Sequence, residues 1–253
     1  MLSQSIWWAG IVVEAVLLLR GVRGSWVSRY RYFYLYVVFV FLQSLLRFFI
    51  FRIDRQLYSS VYWTTEFLSL MIGCAVTFEI YRKGLAAYPG TARMARNILA
   101  ILFVLAATKG FVDASNDPRW WPIATSTDLE LALRIVQAGS IGALVVLFLI
   151  YKVPFGKNLR GIVLGYGLFL TLSVMQFAFM SVQGERYLAF WSYMQSFAYL
   201  LVLGIWAGHL WSYQREPEPE ATVRLELEYQ RVAAATRQRL RDARGYVGKV
   251  VGS

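Results

Sequence analysis

The chain has 253 residues, of which 58% are hydrophobic and only 16% are charged. Soluble domains carry about 45–50% apolar and about 25% charged residues, so this composition excludes an ordinary soluble enzyme. It predicts an all-α polytopic membrane bundle. The only cysteine, Cys74, rules out an intrachain disulfide. The only histidine, His209, rules out a bis-histidine haem or a polyhistidine metal cluster.

Seven segments are apolar enough to cross the hydrocarbon core, which takes roughly 20 helical residues. Strands are excluded because an open sheet edge cannot exist in lipid. We therefore predict one seven-helix transmembrane domain over residues 1–213, with a retained first helix rather than a signal peptide because Met1–Trp8 has no positive n-region. The predicted spans are Ser5–Leu19, Tyr30–Phe51, Ser60–Tyr81, Asn97–Val112, Leu129–Tyr151, Gly161–Val182 and Tyr187–Trp211. Close helix packing is predicted at Gly139, Gly142, Gly161, Gly165 and Gly167.

The basic residues predict the orientation, because short cytoplasmic loops carry an excess of lysine and arginine. Of the 26 basic residues, 19 lie in the segments 20–31, 82–96 and 152–160 and in the C-terminal tail, whereas the opposite loops hold four. The N-terminus is thus expected outside and the C-terminus in the cytoplasm, as in a protein of the cell inner membrane. The net charge of +11 then reflects loops that face anionic lipid, and no nucleic-acid partner is expected.

The cytoplasmic tail, residues 214–253, is predicted to be a linker followed by a basic amphipathic helix. Arg215–Glu220 reads REPEPE, which ends the seventh span, and apolar residues recur at spacings of three and four along Thr222–Arg244. This helix is interpreted either as lying on the anionic inner leaflet or as pairing with a partner or a second copy through residues 222–249. A tail of this size holds no kinase, cyclase or nuclease, so any cytoplasmic output needs a protein partner.

Ionisable residues within spans are costly and are therefore candidates for a functional site. Arg47, Glu66 and Arg134 fall at similar depth in the outer third of the bundle. The second and third spans should be antiparallel neighbours, so Arg47 and Glu66 can pair. Glu130 lies one turn from Arg134 on the same helix face. We predict a ligand-binding cluster of Arg47, Glu66, Arg134 and Gln137, with Lys109 and Asp113 at its rim; the alternative is that these pairs only hold helices together.

Three further polar residues stand apart from this cluster. Glu14 lies near the middle of the first span without a cation at the same depth, and a proton-binding or ligand-binding role is a hypothesis for it. Glu79 and His209 are predicted to form an inner polar pair near the cytoplasmic face, the alternative being that Glu79 snorkels to the interface. No catalytic residue, metal site or cofactor is predicted, because His209 stands alone and no phosphate-binding glycine loop occurs.

Two resemblances bear on function. Tyr62-Trp63 before Glu66 parallels Phe190-Trp191 before Gln195, and this parallel 3+1+3 pattern is similar to the SWEET and PQ-loop transporters, although no Pro-Gln motif is present. The whole chain resembles uncharacterised seven-helix bacterial integral membrane proteins, some of them similar to the sensor modules of histidine kinases. That resemblance rests on YWTTEFLSL (Tyr62–Leu70), FEIYR (Phe78–Arg82) and LELALRIVQ (Leu129–Gln137).

The sequence therefore predicts a non-enzymatic ligand-sensing or accessory module with an outer-leaflet polar pocket. Because two arginines supply fixed positive charge, the expected ligand is anionic or amphipathic. The alternative is a small transporter working as an oligomer, and a third interpretation is a lipid-modifying membrane enzyme. A cavity that crosses the midplane would favour transport, whereas a pocket open only outward would favour sensing.

Overall fold

The structure, a computed structural model, describes residues 2–24, 26–86, 88–115, 121–151, 156–183 and 188–212, together with five tail positions. Within these ranges the chain forms helices and turns and no strand. The helices are α1 (Leu2–Arg23), α2 (Trp26–Arg29), α3 (Arg31–Ile53), α4 (Arg55–Gly84), α5 (Pro89–Ser115), α6 (Trp121–Tyr151), α7 (Lys157–Gln183) and α8 (Leu188–Leu210).

Five helices are long and apolar enough to cross a membrane: Arg31–Ile53, Leu57–Gly84, Gly90–Gly110, Leu129–Ile150 and Lys157–Phe179. In α8 a shorter apolar stretch covers Met194–Leu210. Large apolar side chains also remain on the outside of the bundle, such as Leu149 at 73% exposure and Val104 at 64%. Burial of such side chains in lipid removes the unfavourable contact with water. The chain is therefore an all-helical protein with the features of a multi-pass membrane protein.

The helices extend beyond the apolar segments from which they were predicted. The fourth predicted span begins at Asn97, whereas α5 begins at Pro89. Hydropathy detects only the apolar middle of a helix, and proline is well accommodated in the first turn, where its missing N–H is not needed. The predicted turn Asn116–Pro118, the linker Arg215–Glu220 and most of Thr222–Arg244 lie outside the described residues. The described tail positions are helical and exposed: Arg231, Ala234, Ala235, Gln238 and Arg239.

Six long helices form a ring in the order α1, α3, α4, α6, α7 and α8, and α5 packs outside it against α4 and α6. The expected antiparallel contact between α3 and α4 is present. We name the two ends of the ring after residues in its turns. The Asp54 end holds the N-terminus of α1 and the connection from α3 to α4, and the Leu85 end holds the connection from α4 to α5. At the Asp54 end Trp7 stacks on Phe48, with 4.9 Å between ring centroids.

The half of the bundle toward the Leu85 end is closed by large apolar side chains. Phe33, Ile80, Ile162, Leu203 and Trp206 are each exposed by 1% or less. The rings of Phe33 and Trp206 meet edge to face at 5.0 Å, an arrangement that aromatic pairs prefer. This apolar layer separates the rest of the interior from the Leu85 end.

Glycines let α7 and α8 approach closely beneath that layer. A methyl group at Gly161 would collide with the His209 side chain, and one at Gly165 would collide with the indole of Trp206. The predicted close packing at these positions is confirmed. The same prediction is wrong for Gly139 and Gly142 in α6, because a side-chain carbon at either position would meet nothing within 4 Å.

Candidate functional site

A polar cavity of about 380 Å³ opens within the Asp54 half of the ring. It exists because α3 packs on α1 and α4 while α7 packs on α6 and α8, which leaves space between the two sides. Its lining comes from five helices, as follows: Tyr36, Val40, Gln43, Arg47, Tyr62, Trp63, Glu66, Ser69, Glu130, Arg134, Phe169, Ser173, Gln176, Phe177, Gln195 and Tyr199. The apolar layer described above lies beyond its floor.

Four ionisable side chains form a continuous row along one wall of the cavity, which we call the charged row: Arg47, Glu66, Arg134 and Glu130. Arg47 Nη2 donates to Glu66 Oε2 at 3.0 Å, and Arg134 Nη2 donates to Glu66 Oε1 at 2.8 Å. Arg134 Nε donates to Glu130 Oε1 at 2.7 Å. Positive and negative groups alternate along the row. Glu66 therefore links α3 to α6 through its two oxygens.

Neighbouring groups fix both guanidinium groups in place. Arg47 donates to the Thr65 hydroxyl at 2.8 Å and to the Tyr62 carbonyl at 3.0 Å, and it lies 4.2 Å from the centre of the Tyr62 ring. The Gln43 amide oxygen, turned toward Arg47, accepts from Nη2 at 2.8 Å and from Nη1 at 3.0 Å. Hydrogen bonds to Thr65, Tyr62 and Gln43 thus hold the Arg47 guanidinium and restrict its rotamers.

Arg134 is the more deeply buried guanidinium. Its side chain is 7% exposed, compared with 17% for Arg47. Its Nη1 donates to the Ser173 hydroxyl at 3.3 Å, and Phe169 lies against it with the ring centre 5.3 Å away. Each guanidinium therefore meets a carboxylate, a hydroxyl and an aromatic face. Several hydrogen bonds from one planar group, together with an aromatic contact, suit arginine better than lysine.

The charged row is electrically balanced, with two guanidinium groups and two carboxylates. A site built for a simple anion usually keeps positive charge in excess, because an unmatched buried charge is costly. The prediction of an anionic ligand rested on the two arginines alone. The two carboxylates that lie between and beside them remove that excess, so the geometry does not favour a purely anionic ligand.

Gln137 lies beneath the charged row rather than in the cavity lining. It is 1% exposed. Its Nε2 donates to the Leu70 carbonyl at 3.4 Å and contacts Cys74 Sγ at 3.0 Å, and its Oε1 accepts from the Tyr166 hydroxyl at 3.3 Å. These contacts join α6 to α4 and α7. Its predicted direct contact with a ligand is therefore not supported by its position.

Of the two predicted rim residues, the structure describes the side chain of Lys109 only, and Lys109 does not line the cavity. Lys109 is exposed on α5, which lies outside the ring. The Asp113 side chain lies outside the part of the chain that the structure describes. The position of α5 outside the ring therefore separates Lys109 from the cavity.

Glu14 reaches the cavity through one intermediate. Its side chain is buried, with 1% exposure, and its Oε1 accepts a hydrogen bond from the Tyr199 hydroxyl. Its Oε2 has no hydrogen-bond partner among the described residues. Tyr199 itself lines the cavity. Glu14 is therefore a second-layer residue behind the cavity wall, and its proton-binding role stays a prediction.

The predicted pair of Glu79 and His209 is wrong. Glu79 Oε2 accepts from the backbone N–H of Phe33 at 2.9 Å, in the first turn of α3. The first N–H groups of a helix have no partner within the helix, and Tyr30 at the N-cap supplies no side-chain hydrogen bond. His209 instead lies against Gly161, and its Nδ1 is 3.0 Å from the Ile205 carbonyl.

A second cavity of about 280 Å³ adjoins the first between α1, α3, α7 and α8. The two cavities share Arg47, Phe169, Ser173, Gln176, Gln195 and Tyr199. The remaining lining of the second cavity is largely apolar: Trp7, Ser44, Leu172, Met194, Ser196, Ala198 and Val202. The space therefore has a charged lobe toward α4 and α6 and an apolar lobe toward α1.

Several lining residues were not predicted. Trp63, Tyr36, Ser173 and Tyr199 carry no sequence signal beyond being aromatic or polar within apolar segments. Aromatic residues are common at membrane interfaces, so their composition alone does not separate an anchor from a cavity wall. The available signal was depth, since Ser173 falls level with Arg134 when the helices are aligned by their ends.

Comparison with protein-family models, with curated proteins and with solved structures gives no match for this chain. Across the described residues, no group of three or more histidine, cysteine, aspartate or glutamate side chains is arranged to hold a metal ion.

Proposed function

We propose that the chain is a non-enzymatic inner-membrane protein with seven spans, an outside N-terminus and a cytoplasmic tail, and that it works as a ligand-sensing or accessory module. The five apolar helices and the two further long helices of the ring support seven spans. The concentration of basic residues in the segments at the Leu85 end and in the tail supports this orientation. The Asp54 end, with its cavity, would then face outward.

One observation carries the proposal: the cavity holds a charged row at the Asp54 end and is closed by an apolar layer toward the Leu85 end. Pockets that combine apolar walls with a few convergent polar groups are the usual sites of small ligands. A space that ends at a closed layer binds a ligand without giving it a passage. Sensing or an accessory role therefore fits better than a permanently open pore.

The output of such a module would pass through the tail. Residues 222–249 would lie on the inner leaflet or pair with a membrane or cytoplasmic protein, or with a second copy in a homo-oligomer. Support comes from the helical, exposed tail positions and from the basic composition of this segment. The sensor assignment itself draws on the resemblance to seven-helix sensor modules.

The test is a ligand screen by thermal unfolding of the purified full chain. The screen would cover amino acids, sugars, organic acids and amines, with Gln195→Ala as the site variant and Gln238→Ala, an exposed tail position, as the matched control. At least one compound should raise the Tm of wild type and of Gln238→Ala but not of Gln195→Ala. An equal shift in all three proteins, or no shift with any compound, would contradict the proposal.

A small transporter is the second candidate, and one observation favours it. Two separate polar contacts lie below the charged row: the Tyr166 hydroxyl donates to Gln137 Oε1 at 3.3 Å, and the Tyr81 hydroxyl donates to the Ser140 carbonyl at 2.6 Å. In a transporter, a second conformation would use such groups to carry a polar solute inward. Uptake of the bound compound into proteoliposomes would establish transport, whereas binding without uptake would leave the sensor assignment in place.

A further inference from the structure

The cavity contains polar groups that the protein itself does not satisfy. The Tyr36 side chain is 4% exposed and lines the cavity, yet its hydroxyl makes no hydrogen bond within the described residues. The second carboxylate oxygen of Glu130 likewise makes no hydrogen bond within the described residues, and Gln195, whose side chain is exposed, also lines the cavity. Buried polar groups normally have partners. The Tyr36 hydroxyl and the second Glu130 oxygen, both on buried residues, therefore indicate where a bound molecule, or water that it displaces, completes the hydrogen bonding.

The balance of the charged row restricts the charge of that molecule. A net anion or a net cation would add one unmatched charge to a row that is already neutral. A molecule with one positive and one negative group can place its cation beside Glu130 and its anion beside Arg47 and the Gln195 amide. Each charge then meets its opposite, which offsets the cost of leaving water.

The apolar lobe restricts the rest of the molecule. The lobe begins where the two cavities share Arg47, Gln195 and Tyr199, and it continues between apolar side chains of α1, α7 and α8, such as Trp7 and Leu172. Burial of an apolar group stabilises a complex by about 0.8 kcal/mol for each CH₂ group. A molecule whose charged end lies on the row would place an apolar group in this lobe.

We infer that the ligand is a zwitterion carrying an apolar group, of the chemical class of an aromatic or branched-chain amino acid. This inference rests on the proposed function, because it names the ligand class of the same cavity. It replaces the anion that the two arginines alone suggest. Tyr36 donates or accepts one further hydrogen bond at the ligand's charged end.

The test compares two sets of compounds that share one skeleton and differ only in charge. The first set is L-phenylalanine, 3-phenylpropionate and 2-phenylethylamine, and the second is L-leucine, 4-methylpentanoate and 3-methylbutylamine. Binding to the purified full chain is measured by calorimetry, with thermal unfolding as a second readout. In at least one set the zwitterion should bind about tenfold or more tightly than its anion and its amine, since loss of one charge-assisted contact corresponds to about that factor.

Variants test whether the cavity selects its ligand by charge and shape. A charged row with a purely structural role would leave the preference among zwitterion, anion and amine unchanged. Glu130→Gln gives the row a net positive charge, so the preference should shift toward 3-phenylpropionate or 4-methylpentanoate. Ala198→Phe fills the apolar lobe and should weaken the zwitterion at least about tenfold, whereas Ala100→Phe on the exposed face of α5 should not. Tyr36→Phe should weaken binding while the protein stays folded.

The outcomes separate the two proposals. If an anion or an amine binds as tightly as its zwitterion in both sets, or if only an unrelated class from the screen binds, the inference on ligand class is overturned while a binding cavity stands. If no compound of either set or of the screen binds, both proposals fail. Zwitterion binding that is insensitive to Ala198→Phe and to Glu130→Gln would overturn the placement in this cavity.

Discussion

Glu66→Gln is the sharpest perturbation of the charged row. Each oxygen of Glu66 accepts from a different guanidinium, Arg47 of α3 at 3.0 Å and Arg134 of α6 at 2.8 Å. Glutamine keeps the shape of the side chain but removes its charge. It also turns one NH₂ group toward a guanidinium, so that two donors face each other. One contact is lost outright, and the other becomes a hydrogen bond from a guanidinium to an uncharged amide oxygen, without the ion pair.

The magnitude follows from the number of contacts and their exposure. Hydrogen bonds to charged groups contribute about 1.5–3 kcal/mol each, while interhelical hydrogen bonds in membrane proteins average about 0.6 kcal/mol. The Glu66 side chain is 15% exposed to a cavity that admits water, which favours the lower part of the charged range. We expect Glu66→Gln to lower the free energy of unfolding by about 2–3 kcal/mol.

Glu130→Gln is the matched comparison. Glu130 accepts a single hydrogen bond from Arg134, which is four residues away on the same helix. Its loss does not separate two helices, so we expect a decrease of about 1 kcal/mol. Equilibrium unfolding in mixed detergent and dodecyl sulfate micelles, followed by circular dichroism, measures both variants.

A double-mutant cycle tests the reason for the effect. Removal of Arg47 by Arg47→Met together with Glu66→Gln restores the charge balance of the row. The double variant should therefore be less destabilised than the sum of the two single variants, by about 1–2 kcal/mol. Strict additivity, or a Glu130→Gln effect as large as that of Glu66→Gln, would refute the argument that Glu66 holds the two helices through balanced charge.

Three further predictions concern other parts of the bundle. Gly165→Ala should lower the free energy of unfolding by about 1–3 kcal/mol because Trp206 must move, whereas Gly142→Ala, which meets nothing, should be neutral or stabilising; equal losses would contradict the packing. Glu79→Ala should lower the Tm by removing the acceptor for the Phe33 N–H, and Arg82→Ala, 3.9 Å away and half exposed, should not. In a Cys74→Ala background, Gln195→Cys should react with an impermeant maleimide from outside cells and Ala86→Cys should not; the reverse would invert the proposed topology.

Much of the charged row was predictable because the sequence of a membrane helix restricts the depth of each side chain, and short connections restrict which helices are neighbours. The apolar segments give the depth of Arg47, Glu66 and Arg134, and the short connection at Asp54 makes α3 and α4 neighbours. The spacing of Glu130 and Arg134 places them on one face of α6. These facts pair Arg47 with Glu66 and Glu130 with Arg134, whereas the packing of α6 on α4, which joins the two pairs, comes from the structure.

The rotation of each helix about its own axis was not predictable. Glu79 and His209 lie at the same depth, but α4 turns Glu79 toward the first turn of α3, and α8 turns His209 toward Gly161. Gly142 illustrates the same limit, because its place in the sequence does not show whether it faces a neighbouring helix or, as in the structure, open space. Mostly apolar helices have a weak polar face, so the sequence contains little information on rotation.

The two ends of α8 connect the cavity to the tail. Toward the Asp54 end α8 carries Gln195 and Tyr199 in the cavity wall, and the Tyr199 hydroxyl bonds to Glu14 of α1. At the Leu85 end Arg20 of α1 donates through two nitrogens to the Trp211 carbonyl, at 2.8 and 3.0 Å. Because α1 holds α8 at both levels, a ligand that displaces Tyr199 must move the two helices together or break one of these contacts. Joint movement of α1 and α8 would shift Trp211, which lies just before the tail, and this is the step that the proposed ligand-sensing role requires.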